Sequence, residues 1–530
     1  MEPMMGVMID CSRNAVMNVQ TVKKYVKILK KMGYNTLMLY TEDTYEVNNQ
    51  PYFGHLRGRY SKEELKELDK YCNEAGIELV PCIQTLAHLE TMFRWQDVYG
   101  EINDCDNILL AGEDKTYQLI EDMISTLAEC FASDKIHIGM DEAYRVGTGK
   151  YQQKHGIRDR FDVINEHLHK VCDICKKYGK EAMIWSDMFC KLALDVENQY
   201  EHDVDMSKIL EKAQLPENVS LVYWDYYSTD YDHYVQMIRI NKMFGRKVYF
   251  GGGAWTWNGF APDNAFSIEA TTKAFSACND EGIDGVFLTE WGDNGGECSH
   301  FAVLPALMYS SELAKGNSDV NSIKKKFREI TGCEYDTFML LDKFDTPCGT
   351  QERTMSKYLL YNDVFMGIRD FMCSTDDAKY YETLAKEIHD APGKGEYGYL
   401  FDAYEKLAEV LSVKASLGIR TKKAYLDKDT EELKVLTEDY KRLVSLLEEF
   451  HEMYQIEWFF ENKPHGFDVQ DIRLGGLIQR IKSCKRRLED LVSGKITEIP
   501  ELGEPTLDKP SGGGNEWSKI VSANNLTANG

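Results

Sequence analysis

Positive charge is scarce in this chain: 62 Lys and Arg stand against 87 Asp and Glu in 530 residues, a formal net charge of −25. A surface that acidic gains nothing from neutralising phosphates, the main source of nucleic-acid affinity, and anionic lipid repels it. Nucleic acid and membrane surfaces are therefore excluded as expected partners. The chain also lacks any run approaching the ~18 uninterrupted apolar residues of a membrane span. Its opening, MEPMMGVMIDCSRNA, has no basic flank followed by an apolar core and a small-residue cleavage site. The expectation is a soluble, cytoplasmic protein. No low-complexity tract dominates, and 43% apolar with 12% aromatic residues is a globular composition. The 14 cysteines lack regular spacing, and Cys11, Cys82, Cys130 and Cys278 fall inside apolar strand or helix patterns, as reduced buried thiols do. Cys172 and Cys175 sit on a helical pattern without the second CxxC that a zinc site needs. Metal-ligand spacing is missing elsewhere too.

What is present is a rhythm. Up to residue 315, eight β-rich runs (6–10, 35–40, 77–83, 135–140, 181–185, 219–224, 247–250 and 285–288) alternate with amphipathic helical stretches. That alternation marks successive βα units on a parallel sheet. Between the first two runs Val19, Val22, Val26 and Leu29 recur at helical spacing, Lys23, Lys24, Lys27 and Lys30 fill the other face, and Gly33 stops the helix. The fold class expected for residues 1–315 is α/β, a (β/α)8 TIM barrel, which typically takes about 250 residues and grows with its loops. Over 316–496 strands nearly vanish, and Leu433, Leu436, Tyr440, Leu443, Leu447 and Phe450 step by three and four along one face. An α-helical C-terminal domain with no chemistry of its own is expected there. Residues 497–530, rich in Pro, Gly and polar side chains, predict a poorly ordered or strap-like tail.

Catalytic groups of such barrels come from the C-terminal ends of the strands. Strand one ends in Asp10, Cys11, Ser12 and Arg13; strand three leads to Gln84 and His88; strand four to Asp141 and Glu142. Strand five ends in Trp185 and Asp187, strand six in Trp224, Asp225, Tyr226 and Tyr227, strand seven leads to Trp255 and Trp257, and strand eight to Glu290, Trp291 and Asp293. Flat aromatic faces cover the apolar C–H surfaces of pyranose rings while carboxylates and Arg bind hydroxyls, so this collection favours a sugar pocket. In IHIGMDE the alternation of a strand turns Ile136, Ile138 and Met140 to the helices and His137, Gly139 and Asp141 into the barrel, with Gly139 leaving room beneath Asp141. Glu142 lies one residue on and reaches over the rim. Glycosidase acid pairs usually come from separate strands that flank the scissile bond. Neighbours in sequence sit on one side of the substrate, which suits one acid protonating the leaving oxygen while the other assists a nucleophile supplied by the substrate.

The pattern H-x-G-x-D-E at the end of strand four, here His137, Gly139, Asp141 and Glu142, resembles the signature of glycoside hydrolase family 20, the β-N-acetylhexosaminidases. Asp10-Cys-Ser-Arg13 resembles its sugar-binding arginine motif, His88 its third-strand histidine, and Trp291-Gly-Asp293 its strand-eight motif, over roughly residues 4–315. The chain departs from the family at Gln84, where an Asp usually stands. The resemblance implies exo-acting, retaining, substrate-assisted hydrolysis of terminal β-linked GlcNAc or GalNAc, with no metal or cofactor. It implies that Glu142 is the general acid and then base, with its pKa raised by Asp141 and aromatic walls, and that Asp141 orients the 2-acetamido group as its carbonyl oxygen attacks to give an oxazoline. It assigns Arg13 to the 3- and 4-hydroxyls and Asp293 to the 4- or 6-hydroxyl. It places Trp185, Trp224, Trp255 or Trp257 around the acetamido group, Trp291 under the ring, and Tyr227, ahead of Tyr226, on the acetamido oxygen. His137 is expected to be an anchor. Two other readings stay open: a retaining glycosidase without acetamido participation, pairing Glu142 with Glu290 or Asp187, and a noncatalytic sugar-binding barrel. A homodimer through the helical domain is also left open.

Overall fold

The computed structural model describes residues 3–194, 213–347 and 353–507. Eight parallel strands close into a barrel: β1 Met4–Asp10, β2 Thr36–Tyr40, β3 Glu78–Cys82, β4 Lys135–His137, β5 Glu181–Trp185, β6 Val219–Trp224, β7 Val248–Gly253 and β8 Gly285–Glu290. Their order follows the sequence, and β8 returns to β1 with Met8 opposite Thr289. Alternate residues turn inward as the pleat demands. Met4 and Met8 of β1, Met38 of β2, Val80 of β3, Trp185 of β5, Val222 of β6 and Phe287 of β8 fill the barrel as one apolar cluster. The residues between them pack outward on the helices. The first of these, α1 Val19–Met32, is capped by Asn18, whose side chain accepts from Thr21 N–H, and it ends at Gly33 with φ 106°, buries Val22, Val26 and Leu29, and leaves Lys27 and Lys30 exposed.

One strand is shorter than the sequence pattern suggests. β4 ends at His137, and its register with β3 is the single pair Cys82 and His137. Gly139 (φ 71°), Met140 (φ 74°) and Glu142 (φ 50°) are left-handed, so the alternation expected to run on to Asp141 breaks two residues early.

Beyond the helix Leu304–Ala314 that completes the barrel, four longer helices dominate: α2 Thr375–Asp390, α3 Gly398–Leu426, α4 Thr430–Glu461 and α5 Phe467–Val492. The stripe from Leu433 to Phe450 is buried along α4 as its spacing predicts. This bundle is continuous with the barrel. Met17 bridges Asn462, Lys463 N–H donates to Val16 O at 2.8 Å, Tyr404 donates to Phe260 O at 2.5 Å, and one hydrophobic cluster extends from the barrel helices into α3, α4 and α5. The segment expected as a tail begins with a docked turn: Pro500–Gly503 is helical, Ile499 and Leu502 are fully buried, and Arg487 grips Glu501. The remainder of that expectation, 508–530, lies outside the described residues.

Candidate active site

At the end of β4 the chain must leave the barrel wall and still present a carboxylate to its mouth. Three left-handed residues accomplish this, and Gln84, just past β3, holds them. Its Oε1 accepts from Met140 N–H at 3.1 Å, and its Nε2 donates to Asp141 Oδ1 at 2.7 Å and to Tyr40 Oη at 2.9 Å. A Cβ at position 139 would lie 2.1 Å from Gln84 Oε1 and 2.8 Å from Ile83 O, so Gly139 leaves room for Gln84 and not, as its place in the strand suggests, simply beneath Asp141. His137 lies fully buried against Trp185, ring centroids 4.5 Å apart. Burial pushes its imidazole down to about 3, so it stays neutral and its Nδ1 accepts from Gly139 N–H at 3.1 Å. The histidine is an anchor for the turn.

The turn delivers both acids to one side of a cavity of about 540 Å³. His88 Nε2 lies 3.2 Å from Asp141 Oδ2 and 3.6 Å from Glu142 Oε2, so one imidazole spans the pair. Burial opposes charge on His88, but Asp141 outweighs it and lifts the ring to about 9. Burial likewise opposes ionisation of Asp141, and His88 with the Gln84 amide overcomes it and holds the carboxyl below its usual range. Asp141 is therefore an anion at neutral pH. Glu142 keeps 44% of its side chain exposed at the rim. Its N–H donates to Asp187 Oδ2 at 3.1 Å, and Tyr144 donates to its Oε1 at 3.4 Å. Asp187 itself is pushed up to about 7 by burial and by Asp141.

Of the residues the sequence selects, Arg13, His88, Asp141, Glu142, Trp185, Trp224, Tyr227, Trp257, Trp291 and Asp293 all line this cavity. Trp255 does not. It stacks behind Trp257 at 4.3 Å and 24°, and its indole N–H donates to Tyr226 O at 3.1 Å, so it backs the wall and does not face the ligand space. Trp291 stands edge-on to Tyr40 at 4.7 Å, and Trp224 stacks on Tyr226 at 5.1 Å. Tyr226 also lines the cavity but is buried, whereas Tyr227 is 55% exposed. Asp225 fixes the latter from behind, accepting from Tyr227 N–H at 2.9 Å while pairing with His233 at 2.9 Å. Glu290 is turned away altogether: it is buried on the outer face, 2.8 Å from His300 Nδ1 and accepting from Tyr25 at 2.6 Å. Asp187 lies beneath Glu142 and Trp224, outside the main cavity lining.

Arg13 meets a partner that the sequence reasoning missed. Its Nη2 lies 3.2 Å from Glu42 Oε1, and Tyr40 donates to the same oxygen at 3.0 Å. Both Tyr40 and Glu42 line the cavity, as do Glu90, Thr91, Asn107 and Asn294. Glu42 follows β2, so the strand-end rule applied to the second strand of the sequence would have found it. Thr91 and Asn107 sit in the insertion after β3, and no local pattern marks them. Among the described residues no cluster of His, Cys, Asp or Glu is arranged to hold a metal ion, and Cys172 and Cys175 are buried thiols.

Residues 3–238 match the family model described as glycosyl hydrolase family 20, catalytic domain, and residues 336–520 match the glycoside hydrolase 20C C-terminal domain. Hexosaminidase D of Bos taurus is 23% identical over 310 residues, 53% of this chain and 81% of that protein. Hexosaminidase D of Homo sapiens is 23% identical over 246 residues, and the match spans less than half of it, 46%, and 43% of this chain. Among solved structures, a β-N-acetylhexosaminidase from Bacteroides fragilis NCTC 9343 superposes with a TM-score of 0.47 at 20% identity, over 62% of this chain and 71% of that one. With its two matched segments lying on the barrel and on the helical region, the chain belongs to glycoside hydrolase family 20.

Proposed function

We propose that the chain is an exo-acting, retaining β-N-acetylhexosaminidase that removes terminal β-linked GlcNAc or GalNAc through an oxazoline. The observation that carries this reading is the pair Asp141 and Glu142 meeting one His88 nitrogen at 3.2 and 3.6 Å from the same side of a tryptophan-lined cavity. Two acids on one side leave the opposite face of the anomeric carbon to the substrate's own acetamido oxygen. Asp141, ionised and fixed by Gln84 and His88, faces the positive charge that develops on the acetamido nitrogen. Glu142 protonates the glycosidic oxygen and then draws the proton from water that opens the oxazoline. Tyr227, more exposed than the neighbouring Tyr226, donates to the acetamido oxygen. Arg13, held by Glu42, meets the 3- and 4-hydroxyls, and Asp293 meets the 4- or 6-hydroxyl. Trp185, Trp224 and Trp257 close around the acetamido group and Trp291 supports the ring.

A retaining pair of Glu142 and Glu290 does not fit this arrangement, because Glu290 faces His300 outside the cavity. The test is a panel of aryl β-GlcNAc, β-GalNAc and β-glucoside substrates. Hydrolysis of the acetamido sugars with kcat/KM for the glucoside lower by about a thousandfold or more is expected, because an internal nucleophile is worth that much and the glucoside has none. Equal turnover of the glucoside would sink substrate assistance. A cytoplasmic location is part of this proposal. Buried thiols such as Cys11, Cys82 and Cys172 suit a reducing compartment, and cell fractionation would test it.

A further inference from the structure

After β8 the chain runs Trp291-Gly-Asp-Asn-Gly-Gly-Glu297 across the cavity mouth. Asn294 (φ 61°), Gly295 (φ 137°) and Gly296 (φ 63°) are consecutive left-handed residues, a path with no ladder hydrogen bonds of its own. The carbonyls find their donors in the helical region. Asn294 O accepts from Arg473 Nη1 at 2.7 Å and from Lys357 Nζ at 3.4 Å, Gly295 O from Gln470 Nε2 at 3.4 Å, and Glu297 O from Tyr454 Oη at 3.3 Å. The Glu297 carboxylate sits between the two cations, 2.5 Å from Lys357 Nζ and 2.8 Å from Arg473 Nη1, with all three side chains at 1% exposure or less. On its other side the loop is held by the barrel: Gly292 N–H donates to Asp10 Oδ2 at 2.9 Å, and Thr256 donates to Trp291 O at 2.7 Å. Burying two cations with one anion is costly compared with an apolar contact of the same volume. A cluster that fixes one loop conformation is where such a cost is worth bearing.

We propose that Arg473 and Lys357 are positioning residues for substrate recognition: by clamping the loop Trp291–Glu297 they place Trp291 and Asp293 against the sugar ring and its 4- and 6-hydroxyls. The helical region is then part of the active site although, among the described residues, none of its side chains lines the cavity. The inference rests on the hexosaminidase reading above. It is specific to the non-reducing end of the sugar, because the acid Glu142 and the acetamido wall stand on other strands.

The experiment compares full-length wild type, Arg473→Met and Arg473→Lys on aryl β-GlcNAc and aryl β-GalNAc, which differ only at the 4-hydroxyl. In Arg473→Met, KM for the GlcNAc substrate should rise about tenfold with kcat within about threefold, and the ratio of the two kcat/KM values should move by about fivefold. Arg473→Lys keeps the charge and should recover most of the loss. A folded Arg473→Met with the wild-type KM and ratio would overturn the proposal. Should that variant fail to fold, Gln470→Leu and Tyr454→Phe each remove one neutral donor from the same loop, and a KM rise of about two- to threefold is expected. Wild-type KM and ratio in both would overturn it equally. If the wild type hydrolyses neither hexosaminide, the functional reading falls and this inference falls with it. If the wild type is active and the variants do not move the ratio, this inference falls alone.

Discussion

Asp141 and Glu142 are neighbours with different surroundings, and their roles part accordingly. Asp141 is buried with Gln84 and His88 on its oxygens, while Glu142 keeps 44% of its side chain in solvent. Removing the acid should matter less when the leaving group needs no proton. Glu142→Ala should therefore recover, on aryl substrates with good leaving groups, part of the ~10²–10⁴-fold contributed by general acid catalysis, while Asp141→Ala stays slow on every substrate. Equal rescue of both variants would contradict the division of labour. The His88 pair makes a second, pH-dependent prediction. His88 is raised to about 9 and Asp141 is lowered, so their mutual stabilisation is fully present between the unfolded carboxylate and imidazole values, from about pH 4 to 6.5. It is lost as pH rises through about 9, where the ring deprotonates, and as pH falls through the depressed value of Asp141. Urea unfolding of wild type and His88→Gln should differ by roughly 3 kcal/mol near pH 6 and converge above pH ~9. A difference that is flat from pH 6 to 10 would mean that His88 is not charged in the fold.

At the scale of elements, the β4 turn decides whether the acids reach the cavity at all. Its sequence, IHIGMDE, reads as a strand with alternating faces, and the inward placement of Asp141 is legible from it. The path is not, because it depends on Gln84 from the neighbouring strand end occupying the space where a side chain at 139 would be. That dependence is open to test. Gly139→Ala adds a Cβ 2.1 Å from Gln84 Oε1 at a φ of 71°. The left-handed strain and the displaced amide should cost about 2 kcal/mol or more in urea unfolding and should abolish most activity. An alanine variant with wild-type stability and rate would show that the turn does not need the glycine. Departure from the family at Gln84 has a related meaning. An amide here donates to Asp141 and accepts from Met140 N–H at once, which a carboxylate in the same place could not do.

For the whole molecule, the barrel with its eight strands, the helical remainder and the tryptophan-rich mouth could all be read from strand runs and helical spacing, since local pattern determines each of them. Contacts that join distant segments could not. The Lys357, Glu297 and Arg473 cluster and the pairing of Glu42 with Arg13 depend on how separate elements pack, while Trp255 standing behind Trp257 and Glu290 meeting His300 and Tyr25 depend on how the strand-end loops turn. The helical region, legible only as a packed bundle, shares one hydrophobic core with the barrel and holds the loop that carries Asp293. The −25 charge takes on a local meaning as well: of the 87 acids, Asp141, Glu142, Glu42 and Asp293 are those that a neutral sugar would meet in the cavity along with Glu90. What this architecture is built to do is let the substrate's own amide attack. The most direct measurement is kcat/KM for aryl β-glucosaminides carrying N-acetyl, N-fluoroacetyl, N-difluoroacetyl and N-trifluoroacetyl groups, in which the carbonyl oxygen becomes steadily less nucleophilic while its shape barely changes. Attack by the amide oxygen requires a steep, monotonic fall across the series, of about tenfold or more per fluorine; rates that stay level from acetyl to trifluoroacetyl would rule that attack out.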